Sequence, residues 1–153
     1  MAQVSRTCTL SAEPAAVWAL LADFGDLAGW AAGVDHCCLL NHVEAKPPLG
    51  LTRRVQMGRD TVVETITDYR APHVLQYEIA GLPPRLSVSN RWDVLPRGES
   101  PTDPGTTVTL TTSVRTTAGP LGRILERIAA KLVARRSAPL LDSLATATER
   151  VSS

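Results

Sequence analysis

Apolar and polar residues alternate over 2–10, with Val4, Cys8 and Leu10 on one face, the period of a half-buried strand. The period then changes. Ser11 suits a helix cap and Pro14 a first turn, and Val17, Leu20, Leu21 and Phe24 recur at i, i+3, i+4 and i+7, one helical face. Gly25 and Gly29 punctuate the next stretch, where a second short helix is predicted over 26–30. Three strands follow near 33–43, 51–57 and 60–69, with turns marked by Pro47, Pro48, Gly50 and Gly58.

The clearest alternation runs from 73 to 117. Leu75, Tyr77 and Ile79 alternate with Gln76 and Glu78, and Leu86, Val88, Asn90, Trp92 and Val94 alternate with Arg85, Ser87, Ser89, Arg91 and Asp93. Val108, Leu110, Thr112 and Val114 continue the pattern in a third strand. Three successive strands with one wet and one apolar face predict an antiparallel sheet packed on one side. The Pro- and Gly-rich stretch 96–105 reads as a hairpin connection. Residues 119–151 read as a long helix, with Leu121, Leu125, Ile128 and Leu132 as its buried stripe and Leu141, Leu144 and Val151 continuing it. Pro139 has no N–H to give and crowds the carbonyl four residues back. A kink is expected there, or two helices meeting with Ser137 as the second cap.

A chain of 153 residues is expected to form one domain over 1–153, burying roughly 70% of its unfolded surface. The formal net charge of +1 argues against a nucleic-acid binder driven by electrostatics. No apolar run approaches the roughly 18 residues of a membrane span, and residues 1–20 lack a signal-peptide pattern, so no integral membrane association is expected. Three cysteines, two of them adjacent at Cys37 and Cys38, do not make a disulfide framework. The expectation is a reduced, cytoplasmic protein, either monomer or homodimer.

Strand, two short helices, a six-strand meander and a long helix is the element order of an α+β helix-grip fold, a curved seven-stranded antiparallel sheet around a C-terminal helix. The residues resemble a known family as well. The stretch from Ser11 through Pro14, Val17, Trp18 and Asp23 to Phe24, with Trp30 beyond it, resembles the opening of the polyketide cyclase/dehydrase and lipid-transport family, in the START-like SRPBCC superfamily. Gly50 to Arg54, Val62 to Tyr69 and Leu75 to Ile79 resemble its middle strands, and Asn90 to Pro96 followed by Gly105 to Leu110 resembles its last hairpin. The resemblance implies an apolar-ligand carrier or sensor, or a cyclase, since the family holds aromatic-polyketide cyclases, lipid and quinone carriers and hormone receptors. Two features depart from it: Pro139 lies inside the final helix, and no acidic or histidine pair stands where a cyclase would place its acid and base.

A long sheet coils with its apolar face concave, and one helix, about 10–12 Å across its side chains, leaves space in the groove. Such concavities are the default small-molecule site. If these strand pairs are tight, face parity allows Leu75 beside Asn90 and Asn90 opposite Thr112. Asn90 then interrupts an apolar face and bonds either to Thr112 or a core water, or to a ligand. Tyr77 shares that face, as ligand handle or with its hydroxyl reaching the surface. Trp30, Met57 and Trp92 are pocket wall or ordinary core. Arg6 falls inward by parity and either snorkels out at the strand end or reads an acidic ligand group, because an inward Arg without a carboxylate is costly. One of Arg53 and Arg54 faces in. The candidate ligand-binding residues are thus Asn90, Tyr77, Trp92, Trp30, Met57, Thr112 and Arg6, with no catalytic residue assigned and no cofactor expected.

Other signals carry less. His36 and His42 on one strand stand roughly 20 Å apart, so with Cys37, Cys38 and the remaining His73 they do not form a zinc site. A Cys38–His36 pair has no third group to orient it. Arg123, Arg127, Lys131 and Arg135 recur every four residues on the last helix. Such a face can sit on membranes or nucleic acid; the expectation here is the solvated back of a core helix. The remaining reading is an interaction domain whose cavity has collapsed.

Overall fold

The computed structural model describes residues 2–82, 85–98, 105–117, 119 and 121–152, and of 132–134, 136, 137, 151 and 152 only the backbone. The connection predicted over 96–105 therefore lies partly outside the described residues. Strand β1 (Ala2–Leu10) leads into helix α1 (Pro14–Ala22) and a 3-10 helix (Phe24–Gly29). Strands β2 (His36–Leu39), β3 (Thr52–Met57), β4 (Asp60–Arg70), β5 (Val74–Ala80), β6 (Leu86–Pro96) and β7 (Thr106–Thr116) follow, then helix α2 (Gly122–Ser152). The strands form one sheet in the order β1-β7-β6-β5-β4-β3-β2, every neighbouring pair antiparallel. This is the predicted meander, with β1 returning to pair with the last strand.

Several boundaries differ from expectation, each for a local reason. The cap of α1 is Glu13, its carbonyl accepting from the Ala16 and Val17 N–H groups, and Ser11 stays exposed outside the helix. The second short helix starts at Phe24 rather than Asp26, because Phe24 is buried against the sheet while Asp26 takes non-helical angles. Strand β2 is only four residues long. Beyond it the Asn41 amide donates to the Gly50 carbonyl (2.9 Å) and accepts from the Thr52 N–H (2.9 Å), replacing ladder bonds with a loop closure. Between β3 and β4, Gly58 carries φ +60° at the first central position of a two-residue turn, where Gly is favoured in the mirror-image turn that matches strand twist.

Helix α2 runs unbroken through Pro139, so the two-helix alternative does not hold. Its second half is anchored: Leu141 and Leu144 are buried against β6, β7 and α1, and the Ser143 hydroxyl accepts from the Ala32 N–H at 2.9 Å. Its first half differs from expectation. Gly122, Glu126 and Ala130 are turned inward, while Leu121, Ile124, Leu125 and Ile128 are exposed. The predicted stripe of Leu121, Leu125 and Ile128 is therefore not the buried face, and the side chain of Leu132 lies outside the described residues. Small inward residues let the helix approach β7 and β1 closely, which turns the aliphatic side chains away.

The main core is built from Leu75, Trp92, Val94, Val108 and Leu110 on the sheet, closed by Val17, Leu21 and Phe24 from the first two helices. Aromatic edges meet in it, Trp18 with Tyr69 at 5.3 Å and Phe24 with Tyr77 at 5.7 Å between ring centroids. Burying such side chains contributes roughly 1.5–3 kcal/mol each. That end of the concave face is solid.

Candidate functional site

Strand register sorts the inward residues into rows across the sheet. One row runs Ile66, Tyr77, Asn90, Thr112, Val4. The next row toward the β5–β6 connection runs Arg53, Glu64, Ile79, Val88, Val114. Leu75 pairs with Trp92 rather than lying opposite Asn90; the true partner of Asn90 on β5 is Tyr77, two residues on and on the same face. Thr112 is the expected partner on β7.

Polar side chains from both rows, with Trp92 from the adjoining row, join into one buried network. Thr112 donates its hydroxyl to Asn90 Oδ1 at 2.8 Å, and Asn90 Nδ2 donates to the Tyr77 oxygen at 3.4 Å. Trp92 Nε1 donates to the same oxygen at 3.3 Å. The Arg53 guanidinium lies over the Phe24 ring at 3.8 Å and the Tyr77 ring at 4.9 Å. It donates through Nε to Glu64 (2.8 Å) and through Nη1 to the Phe24 carbonyl (3.0 Å). Every one of these side chains is buried. Burial, and next the Glu64 carboxylate, push the Tyr77 phenol above its ordinary range, while Arg53 pulls the other way. A neutral phenol in the interior accepts these bonds without a desolvated charge.

The sequence reading missed Glu64. An inward carboxylate stands on the concave face, and it answers the inward Arg53. The signal was present in Val62, Glu64 and Ile66, whose two-residue spacing puts all three on one side of β4, where they are buried. As a pair the two charges are held to each other, which leaves neither as a free acid or base.

Beyond the network burial is less complete. Ile79 touches all three hydrophobic clusters of the core, and both its cross-strand neighbours, Glu64 and Val88, are buried; Ile79 itself is only half-buried. Around it Met57, Leu82, Leu86, Val34 and Leu140 are half-buried too. Trp30 belongs to the same surround, packed edge-on to Trp92 at 6.5 Å between ring centroids. Its Nε1–H is buried and has no partner among the described residues, a cost of about 1–3 kcal/mol that an acceptor removes.

Of the seven candidate residues, Met57 and Trp30 stand at this open end, and Asn90, Tyr77, Thr112 and Trp92 form the sealed network beside it. Arg6 is on edge strand β1 opposite Leu110 and is exposed, the snorkelling alternative. His36 and Cys38 are exposed on β2, whereas burial raises the thiol of the inward Cys37, which makes it a poorer nucleophile. A separate open groove of about 660 Å³ lies between the 3-10 helix and the second half of α2, with Leu20, Trp30, Pro139 and Ala147 in its walls. No strand contributes to it, so it is not the hollow expected under the sheet.

Residues 1–149 match the model of a family described as polyketide cyclase / dehydrase and lipid transport. Solved structures share the fold. A START superfamily protein from Mycobacterium smegmatis superposes with TM-score 0.74 at 14% identity, covering 97% of this chain and 98% of that one. The Zhui aromatase/cyclase from Streptomyces sp. R1128 gives TM-score 0.75 at 18% identity, covering 99% and 96%. A Thermobifida fusca protein gives 0.71 at 25% identity, covering 98% and 95%. No curated protein matches the chain.

Proposed function

Because this chain belongs to the polyketide cyclase / dehydrase and lipid transport family, we propose that it binds an apolar small molecule, such as a lipid, quinone or polyketide-like aromatic, between the sheet and α2, as a carrier or sensor. The supporting observation is Ile79. A residue at the junction of three clusters, between buried neighbours, stays half-buried only where the face above it is uncovered. Ile79, Met57, Leu82 and Leu86 supply apolar wall, and the Trp30 N–H supplies one donor for a ligand oxygen. Tyr77, Asn90, Thr112 and Trp92 back this wall as a rigid polar partition, and Arg6 takes no part.

Binding is preferred over a cyclase or dehydratase reaction because the titratable groups at hand are committed. Glu64 is paired to Arg53 within the core, and Tyr77 sits deep among donors. Native mass spectrometry of freshly purified protein, with titration by a naphthalene-sulfonate fluorophore, tests the reading. A co-purified apolar mass, or saturable one-site fluorophore binding that Ile79→Trp blocks while the fold is kept, is the expected result. Neither bound mass nor saturable binding by the folded protein would overturn it and favour a collapsed interaction domain.

A further inference from the structure

The first half of α2, with Leu121 just before it, carries two exposed stripes that the proposed ligand site does not use. Leu121, Ile124, Leu125 and Ile128 are 69%, 58%, 48% and 53% exposed. Their spacing of i, i+3, i+4 and i+7 makes one continuous aliphatic ridge about 10 Å long. On an ideal helix that ridge lies roughly 150° around from Gly122, Glu126 and Ala130, the inward side. Along one flank of the ridge run Arg127, Lys131 and Arg135, with Arg123 further round beside Glu126, and all four are exposed. The one acid between 119 and 141 is Glu126, and it is turned inward, accepting from the Thr116 N–H at 2.9 Å.

We infer that this face docks the protein on an anionic lipid bilayer, with the aliphatic ridge entering the headgroup boundary and the cations meeting lipid phosphates. A cationic flank beside an apolar ridge is the pattern that lies in a membrane interface plane, drawn by apolar burial and charge together. The charge favours this occupant over the others. A second copy would bring two identical cationic flanks together at a two-fold contact. A nucleic acid offers phosphates for the cations and nothing for four aliphatic side chains. The span is peripheral, since no described helix is long and apolar enough to cross a membrane. The inference goes beyond the ligand reading and does not depend on it, because docking needs no occupied hollow.

Co-sedimentation with vesicles of phosphatidylcholine, with and without phosphatidylglycerol, reads the docking with no ligand added. The expected result is binding to the anionic vesicles only, weakened by salt. Ile124→Asp/Ile128→Asp should abolish it with an unchanged melting curve, and Arg127→Gln/Lys131→Gln should weaken it on the order of tenfold. If the first variant fails to fold, the second carries the test alone. No binding to anionic vesicles at low salt, or binding indifferent to both variants, overturns the inference. Concentration-dependent dimerisation in sedimentation velocity that the Ile124→Asp/Ile128→Asp change removes would assign the face to a second copy instead.

Discussion

Arg53 and Glu64 show how one residue pair decides what a site can do. Each would be prohibitive alone on a buried face, and together they hold a 2.8 Å contact with two aromatic rings stacked on the guanidinium. Breaking such a pair by removing one partner costs about 3–5 kcal/mol, whereas replacing both by apolar groups is often neutral. Glu64→Leu should therefore lower unfolding free energy in urea by that amount, and Arg53→Met/Glu64→Leu should recover most of it. A double variant as unstable as the single one would mean that Arg53 works through its bond to the Phe24 carbonyl. Tyr77 offers a second test. Its raised pKa means the folded state keeps the phenol proton where the unfolded chain has lost it. The associated stability is complete below the ordinary value of 10.0 and drains away as pH climbs from there toward the folded value. Tyr77→Phe loses the acceptor for Asn90 and Trp92 at every pH, so the quantity to read is slope: above pH 10 the parent should lose stability more steeply than the variant. Parallel curves would remove the buried phenol as the cause.

At the scale of elements, what period-two patterning could reveal and what it could not are both visible. Strands β5, β6 and β7 were legible because Leu75, Tyr77, Ile79 and their counterparts alternate strictly with polar residues, and parity alone placed Asn90 opposite Thr112. Parity does not fix register, so the pairing of Tyr77 with Asn90 came out two residues from the expected neighbour; slips of two keep the face and leave no pattern to detect. The last helix was the harder case. An amphipathic pattern of Leu121, Leu125 and Ile128 usually marks the buried stripe, yet the small residues Gly122 and Ala130 go inward here. Close approach to β7 and β1 decides which side faces the sheet, and that is a tertiary effect the one-dimensional pattern does not contain. Glu64 was hidden for the opposite reason, since an acid in an apolar rhythm reads as a surface residue until its Arg partner is seen across the strand.

On the scale of the whole molecule, the site proposed over the half-buried Ile79 ties stability to occupancy. On the reading proposed above, a ligand over Ile79 binds the folded state and not the unfolded chain, so it stabilises the fold, by about 2.7 kcal/mol at a hundredfold excess over Kd. The same space can be filled from within. Ala129 lies half-buried on α2, packed on the cluster of Val88, Val114 and Ala130 that borders Ile79. Ala129→Leu adds apolar volume there, with each buried methylene contributing roughly 0.8 kcal/mol. The variant should unfold at higher urea concentration than the parent when both are free of ligand. Added ligand should then raise its midpoint less, because on that reading the larger side chain occupies part of the proposed site. A midpoint that falls, together with ligand-induced stabilisation that is undiminished, would place the hollow somewhere other than between Ile79 and the helix.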